Sequence, residues 1–278
     1  MGGVRKAAVA GSWYPADPVR LAGEVDEYLG RAQHEPFART VRAVVAPHAG
    51  LMYSGPVAAY AYDAVRDVAY GAIVLLGPSH FVSFRGVSLW DEGAWESPFG
   101  ALSVDAELAS SIRAGSDEIV AVAAAHAREH SLEMQLPFIA RVLPGVPIVP
   151  LVMGQQTRGT AFGTGEAIAR AVASRATSDS RPVLLVASSD LSHYQDAATA
   201  ASLDAIVIEH TAALDPEGLM NALEREPGHA CGGGPMVAVL HAARQLGASE
   251  ARVLRYADSG DVSGDKSAVV GYMAAAFS

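Results

Sequence analysis

Three histidines stand a few residues past the ends of three short apolar runs. Val44-Val45-Ala46 leads into Pro47-His48-Ala49-Gly50, Ile73-Val74-Leu75-Leu76 into Gly77-Pro78-Ser79-His80, and Leu184-Leu185-Val186-Ala187 into Ser188-Ser189-Asp190-Leu191-Ser192-His193. Imidazole is the commonest metal ligand and the side chain best suited to moving protons near neutral pH. One such histidine is ordinarily a satisfied loop residue, whereas three at equivalent positions mark a site. The only cysteine, Cys231, precedes Gly232-Gly233-Gly234-Pro235 and a helical pattern from Met236. The glycines there let backbone amides turn toward a ligand, and a helix N-terminus favours the metal-binding thiolate. The same cysteine also reads as a small buried hydrophobe. Two histidines and one anionic ligand suit a non-haem Fe(II) centre with open positions, and the same set can hold Zn(II). A thiolate is softer than the usual carboxylate, which strengthens zinc or copper binding and leaves the metal open.

Positioning these residues requires strands that end side by side. Strand patterns cover Val41–Ala46, Ala72–Leu76, Val87–Trp90, Ile148–Met153, Val183–Ala187, Arg252–Tyr256 and Ala268–Tyr272. Several are apolar on both faces, as strands are when helices cover both sides of a sheet. Helix patterns start at Pro18 with Asp17 as N-cap and after Ser54-Gly55-Pro56. Others cover Asp105–Ala114, Ser131–Leu143, Gly159–Ser174, Thr199–Ala213, Pro216–Glu224 and Pro235–Leu246. Pro137 predicts a kink or a late start in the fourth of these. No linker, repeat or low-complexity segment divides residues 1–278. The expectation is a single α/β domain with a largely parallel central sheet flanked by helices. Ligands bind such sheets outside the carboxyl ends of the strands, where the three histidines converge.

Half of the 278 residues are hydrophobic and 18% are charged, enough apolar material for a sizeable core. A net charge of −10 repels phosphate backbones and anionic lipid, so neither nucleic acid nor a membrane surface is an expected partner. One cysteine excludes an intrachain disulfide and a multi-cysteine zinc ribbon. No apolar stretch reaches the roughly 18–20 residues of a membrane span. Gly11-Ser12-Trp13-Tyr14-Pro15 cuts the run after Arg5-Lys6 too short for a signal peptide. A cytoplasmic protein is expected.

Longer strings carry a resemblance. Ala10-Gly-Ser-Trp-Tyr14, Ala46-Pro-His-Ala-Gly50, Leu76-Gly-Pro-Ser-His80, Glu129-His-Ser-Leu-Glu-Met-Gln-Leu-Pro137, Ser188-Ser-Asp-Leu-Ser-His193 and the Cys231-Gly turn occur in this order. Across essentially its whole length the chain resembles the Memo family, called in prokaryotes AmmeMemoRadiSam system protein B. That family resembles class III extradiol dioxygenases in fold. The resemblance implies a metal pocket formed by His48, His80 and Cys231, the cysteine replacing the extradiol carboxylate ligand. It places His193 where the extradiol acid/base histidine stands, and Trp13, Tyr53 and Asp190 as residues that line or brace the pocket. The residues themselves add roles. His48 and His80 would ligate as neutral imidazoles oriented by partners the sequence does not identify, while Asp190 would hold His193 or raise its basicity. Asp190 with Ser188 and Ser189 also reads as a turn cap. His130 and Glu133, one helical turn apart, read either as a supporting pair or as an ordinary surface pair.

Three function classes follow. The first is a metal-dependent oxidoreductase, an Fe(II) dioxygenase-like enzyme acting on a small phenolic substrate. The second is a non-catalytic adaptor whose vestigial metal pocket holds a peptide, as the resemblance also implies. The third is a zinc hydrolase in which His193 moves protons. The prokaryotic family name implies association with radical SAM and AMMECR-type proteins. The acidic run Asp258–Asp265 lacks the spacing of a calcium loop and reads as a turn between strands; the resemblance puts it near the pocket mouth.

Overall fold

Runs that are apolar on both faces form the centre of a mixed sheet, nine-stranded among the residues described by the computed structural model, 3–176 and 178–278. In spatial order its strands are His193–Gln195, Val269–Phe277, Ala43–Ala46, Val183–Ser188, Ala72–Pro78, Ile148–Met153, Val87–Leu89 and Ile119–Val120, and Ala251–Asp258 pairs with Val269–Phe277 off that path. The four strands from Ala43–Ala46 to Ile148–Met153 are mutually parallel. Outside them, Val269–Phe277 and Val87–Leu89 join antiparallel. The expected largely parallel centre is therefore present, and the pair Val87–Leu89 with Ile119–Val120 is parallel as well.

Alternate side chains of each central strand enter different cores, as strand pleating requires. Val45, Val74, Leu76, Leu185 and Ala187 pack under the helices Arg158–Arg175 and Gly233–Gln245. Val44, Ala46, Ile73, Leu75 and Val186 pack under Pro18–Arg31, Leu51–Asp63 and Leu136–Val142. Asp17 caps the first of these helices by accepting from the Arg20 amide, as expected. Pro137 produces a late start: a 3₁₀ turn over Glu133–Gln135 comes first, and the α-helix begins at Leu136.

Two boundaries differ from expectation. The helix expected after Pro56 begins at Leu51 and keeps Pro56 inside. The Leu51 amide donates to the Trp13 carbonyl and the Ser54 hydroxyl to the Ala49 carbonyl, so tertiary partners start the helix early. In its second turn the proline forgoes a single ladder bond. The last strand runs on to Phe277, because sheet pairing overrides the helical preference of Ala274-Ala275-Ala276. The acidic run forms a short turn between strands, as expected. Lys266 Nζ binds both Asp258 oxygens and Asp261, so a cation of the chain itself neutralises the turn.

The N-terminal segment is tied down by buried charge. Glu133, fully buried, accepts from the Ala8 and Val9 amides, the Tyr14 hydroxyl and the Arg5 guanidinium. Arg5 also donates to the carbonyls of His126 and Glu129 and lies 4.4 Å over the Trp95 ring. Glu133 is thus neither a surface residue nor part of the metal pocket; it anchors the loop that carries Trp13. Removing one partner of a buried pair leaves the other charge uncompensated. Glu133→Ala is expected to destabilise the protein by about 3–5 kcal/mol in denaturant titration. A loss below about 1 kcal/mol, the range of an exposed pair, would refute the anchoring role.

Candidate metal centre

Three of the parallel strands lie side by side in the order Ala43–Ala46, Val183–Ser188, Ala72–Pro78. Ala46 is in register with Ser188, and Leu76 with Ala187, so the chain leaves all three at one level. His48, Asp190 and His80 follow within a few residues. The His48 and His80 ring centres are 5.2 Å apart. Cys231 arrives from the turn before Gly233–Gln245, with its amide donating to the Asp190 carbonyl. A Cβ on Gly232 would stand 2.4 Å from the Ser188 carbonyl oxygen, so only glycine permits this approach. The amides of Gly232, Gly233 and Gly234 donate to Ser189 Oγ, the Ala230 carbonyl and Gln156 Oε1. None of the three is free for a ligand. The glycines serve close packing, not the amide cradle the sequence pattern predicts.

Hydrogen-bond direction sets the state of both rings. Gln135 Nε2 donates to the Pro47 carbonyl at 2.9 Å and to Ser188 Oγ at 2.8 Å, while its Oε1 accepts from Tyr62. Ser188 has one hydroxyl proton, which the Ser131 carbonyl takes at 2.6 Å. Ser188 Oγ can then only accept from His48 Nδ1, 2.9 Å away. The Nε2 lone pair of His48 is left facing Cys231 Sγ at 3.3 Å. His80 Nδ1 donates to Glu129 Oε1 at 2.8 Å, and its amide donates to Oε2 at 2.6 Å. Burial alone would raise the Glu129 carboxyl, but these bonds from His80 and those from the His130 and Ser131 amides outweigh it and hold the group down to about 2. A carboxylate only accepts, so the neutral tautomer of His80 too carries its proton on Nδ1 and its lone pair on Nε2. Burial, then the neighbouring His80, pushes His48 well below its ordinary range, so its ring is neutral.

These donors fit a divalent metal. Ligand atoms of His48, His80 and Cys231 lie within 4.8 Å of one another. Bond lengths for tetrahedral zinc place a nitrogen and a sulfur ligand about 3.6 Å apart, close to the distance between His48 Nε2 and Cys231 Sγ. His80, Glu129 and His130 form a second group of that size. Four N–H donors already occupy the Glu129 oxygens, so this carboxylate orients His80 instead of binding a cation. Burial, then the Asp190 carboxylate, pushes the Cys231 thiol up. Both effects oppose the thiolate that the helix N-terminus favours. Ligation must displace its proton.

Above the donors opens a cavity of about 530 Å³, lined among others by Trp13, Tyr53, His48, His80, His130, Asp190 and His193. Cys231 lies behind it and lines two adjoining cavities. His193 Nδ1 is 2.8 Å from the Leu191 carbonyl, which can only accept, so Nε2 is the ring's free acceptor. Asp190 makes no hydrogen bond to His193. Its Oδ1 accepts from the amides of His48 at 2.7 Å and Ala49 at 3.3 Å, so its hydrogen bonds brace the loop of a ligand, and it meets the acid/base ring through charge alone. Burial raises the Asp190 carboxyl against these bonds. No residue from Asp258 to Asp265 lines the cavity.

Sequence reasoning missed Glu129, Gln135 and Ser188 as supports and His130 as a wall residue packed 4.2 Å from Trp13 and 4.4 Å from His80. A signal existed. Ser131, Glu133 and Gln135 alternate with Leu132, Met134 and Leu136 inside a segment read as helical, a period that no surface helix needs.

The chain matches the family described as Memo-like protein over residues 5–276. It is 40% identical to a MEMO1 family protein of Methanothermobacter thermautotrophicus, over 97% of this chain and 98% of that one. With MEMO1 family proteins of Sulfolobus acidocaldarius and Nitrosopumilus maritimus it shares 39% and 35% identity, over 99% of each chain in both comparisons.

Two predictions follow from the hydrogen-bond directions and from burial. Long-range ¹H–¹⁵N spectra of the metal-free protein should show His48 and His80 protonated on Nδ1; protonation of either ring on Nε2 would break the argument. Burial, followed by the charge of Arg5 for His126 and by His48 for His130, holds these rings down to about 3 and about 4. They gain protons on unfolding below the ordinary histidine value of 6.5. Stability is therefore full above 6.5 and falls by about 1.4 kcal/mol per pH unit per ring from there toward 4. A melting temperature constant between pH 7 and pH 4.5, with metal absent, would contradict this.

Proposed function

The chain belongs to the Memo-like protein family, and on that premise we propose that it works as a non-haem iron oxidoreductase of the dioxygenase kind on a small phenolic substrate. The observation that carries the reading is the convergence of two oriented imidazole lone pairs and one thiol beneath a cavity whose wall includes His193. His48, His80 and Cys231 would hold the metal, leaving the cavity side open. Bound ferrous iron would supply a redox centre with positions free for substrate and oxygen. The protein's own groups do the rest. Trp13 and Tyr53 offer ring-sized apolar walls. His193, held by the Leu191 carbonyl, takes the proton of a phenolic hydroxyl on Nε2. Asp190 keeps the His48 loop in place while the ligand set forms.

The sulfur ligand favours a second reading, zinc-dependent hydrolysis, because a soft thiolate suits Zn(II). Oxygen electrode measurements on anaerobically iron-loaded protein separate the two. Catechol-dependent oxygen uptake is expected. Its absence, together with ester hydrolysis by zinc-loaded protein, would replace the first reading with the second.

Ligand and proton-transfer roles separate by mutation. His80→Ala removes one of three donors, and metal occupancy should collapse in titration. Glu129→Ala should cost only about 10–100-fold in metal affinity, since it orients a ligand without being one. His193→Ala should keep the metal and lower turnover on the order of 10²–10⁴. Should His193→Ala empty the site while His80→Ala keeps it filled, the ligand assignment is wrong.

A further inference from the structure

Two non-glycine residues among those described have positive φ, Leu214 at 50° and Tyr194 at 62°. Leu214 has a local reason. It follows the C-cap of the helix Ala197–Ala212, is buried, and its amide donates to the Thr211 carbonyl, as helix ends commonly arrange. Tyr194 has none. It is 78% exposed, and its hydroxyl makes no hydrogen bond among the described residues. A bulky aromatic residue is disfavoured in this left-handed conformation, where glycine or asparagine is usual. Strain kept at an exposed residue whose one ring contact is the edge of His193 points to function.

The strand register shows how the strain is imposed. His193 pairs with Val270 and Gln195 with Val269, so two steps on one strand oppose one on the other. Tyr194 is the extra residue of a β-bulge, the device that re-aims a side chain at a sheet edge. The bulge sends His193 and Tyr194 to the same cavity, with ring centres 5.6 Å apart. Trp13 and Met52, also exposed and apolar, line that mouth. Trp13, Met52 and Tyr194 thus give the mouth an exposed apolar side, beside the exposed Ser12 and His80.

We propose that Tyr194 is a specificity-determining residue whose ring stacks on the planar face of an aromatic ligand entering this cavity. The inference rests on the metal-centre reading above. It adds that the ligand is selected by its ring as well as by its metal-binding oxygens. A stacking partner must stand clear of the protein before ligand arrives, which accounts for both the exposure and the bulge.

The test compares two chelators on Zn(II)-loaded protein, 4-nitrocatechol, which has a ring, and acetohydroxamate, which has none. Tyr194→Gly should weaken 4-nitrocatechol by about tenfold and leave acetohydroxamate unchanged, while Tyr194→Phe binds both like the parent. The unfolding midpoint of Tyr194→Gly should stay level or rise, because glycine relaxes the backbone. A lowered midpoint would make Tyr194 a structural residue and overturn the proposal. So would unchanged 4-nitrocatechol binding, or equal loss of both chelators. Parent protein that binds acetohydroxamate but not 4-nitrocatechol would overturn ring selection and leave the metal centre standing. Parent protein that binds neither would overturn both.

Discussion

A polar group carried beneath the ends of the three central strands is costly unless it finds a partner, because it is withdrawn from water there. Glu129, Ser131, Glu133 and Gln135 meet that requirement, while the buried Nδ1 of His130 among them has no hydrogen bond to the described residues, and the rest of the site depends on those four. Glu129, Ser131, Glu133 and Gln135 are fully buried. An unpaired carboxylate in that position would cost several kcal/mol. Glu129 is matched by four N–H donors and Glu133 by the N-terminal segment. Gln135 is matched by the Pro47 carbonyl, Ser188 and Tyr62. Satisfying these bonds leaves one tautomer for each ligand histidine. The stability of the segment and the readiness of the lone pairs are one arrangement.

The same segment joins the two walls of the cavity. Through Glu133 it holds the loop of Trp13, through Glu129 it holds His80, and through Ser131 and Gln135 it holds Ser188 and so His48. His130 lies between, packed on both Trp13 and His80. Disturbing the N-terminal anchor therefore reaches the metal donors through contiguous packing and hydrogen bonds, with no moving part needed. The opposite wall is built differently. His193 and Tyr194 sit on a short bulged strand at the sheet edge, where the backbone is strained and the tyrosine is exposed. A rigid floor under an adaptable rim suits a site that must hold a cation firmly and admit a ligand from solvent.

Several sequence expectations failed for a common reason. The glycines after Cys231 resembled an amide cradle, yet their amides are used internally and Gly232 exists to let the turn touch Ser188. Asp190 neighbours His193 in the chain but serves His48. Cys231 precedes a helix, yet burial and a nearby carboxylate push its thiol up. In each case adjacency along the chain competed with adjacency in space, and space prevailed. Local effects such as a helix terminus are worth a fraction of a kcal/mol to about 2 kcal/mol. Burial and a nearby like charge can be larger.

What the sequence determined by itself was the alternation of apolar strands and helices, the three histidines at strand ends and the cysteine in a glycine turn. These are legible because strand burial on both faces and turn chemistry leave local patterns. Family membership was legible in the same strings. Only the tertiary structure decided the strand order that puts His48, Asp190 and His80 side by side, the antiparallel margins, and the partners that orient each ring. Hydrogen-bond direction depends on which carbonyl or carboxylate lies across the site. Those partners are 49 residues from His80 in Glu129 and 140 from His48 in Ser188. No periodicity in a chain records a pairing at such a distance, since it arises only when the sheet closes and buried polar groups must be matched.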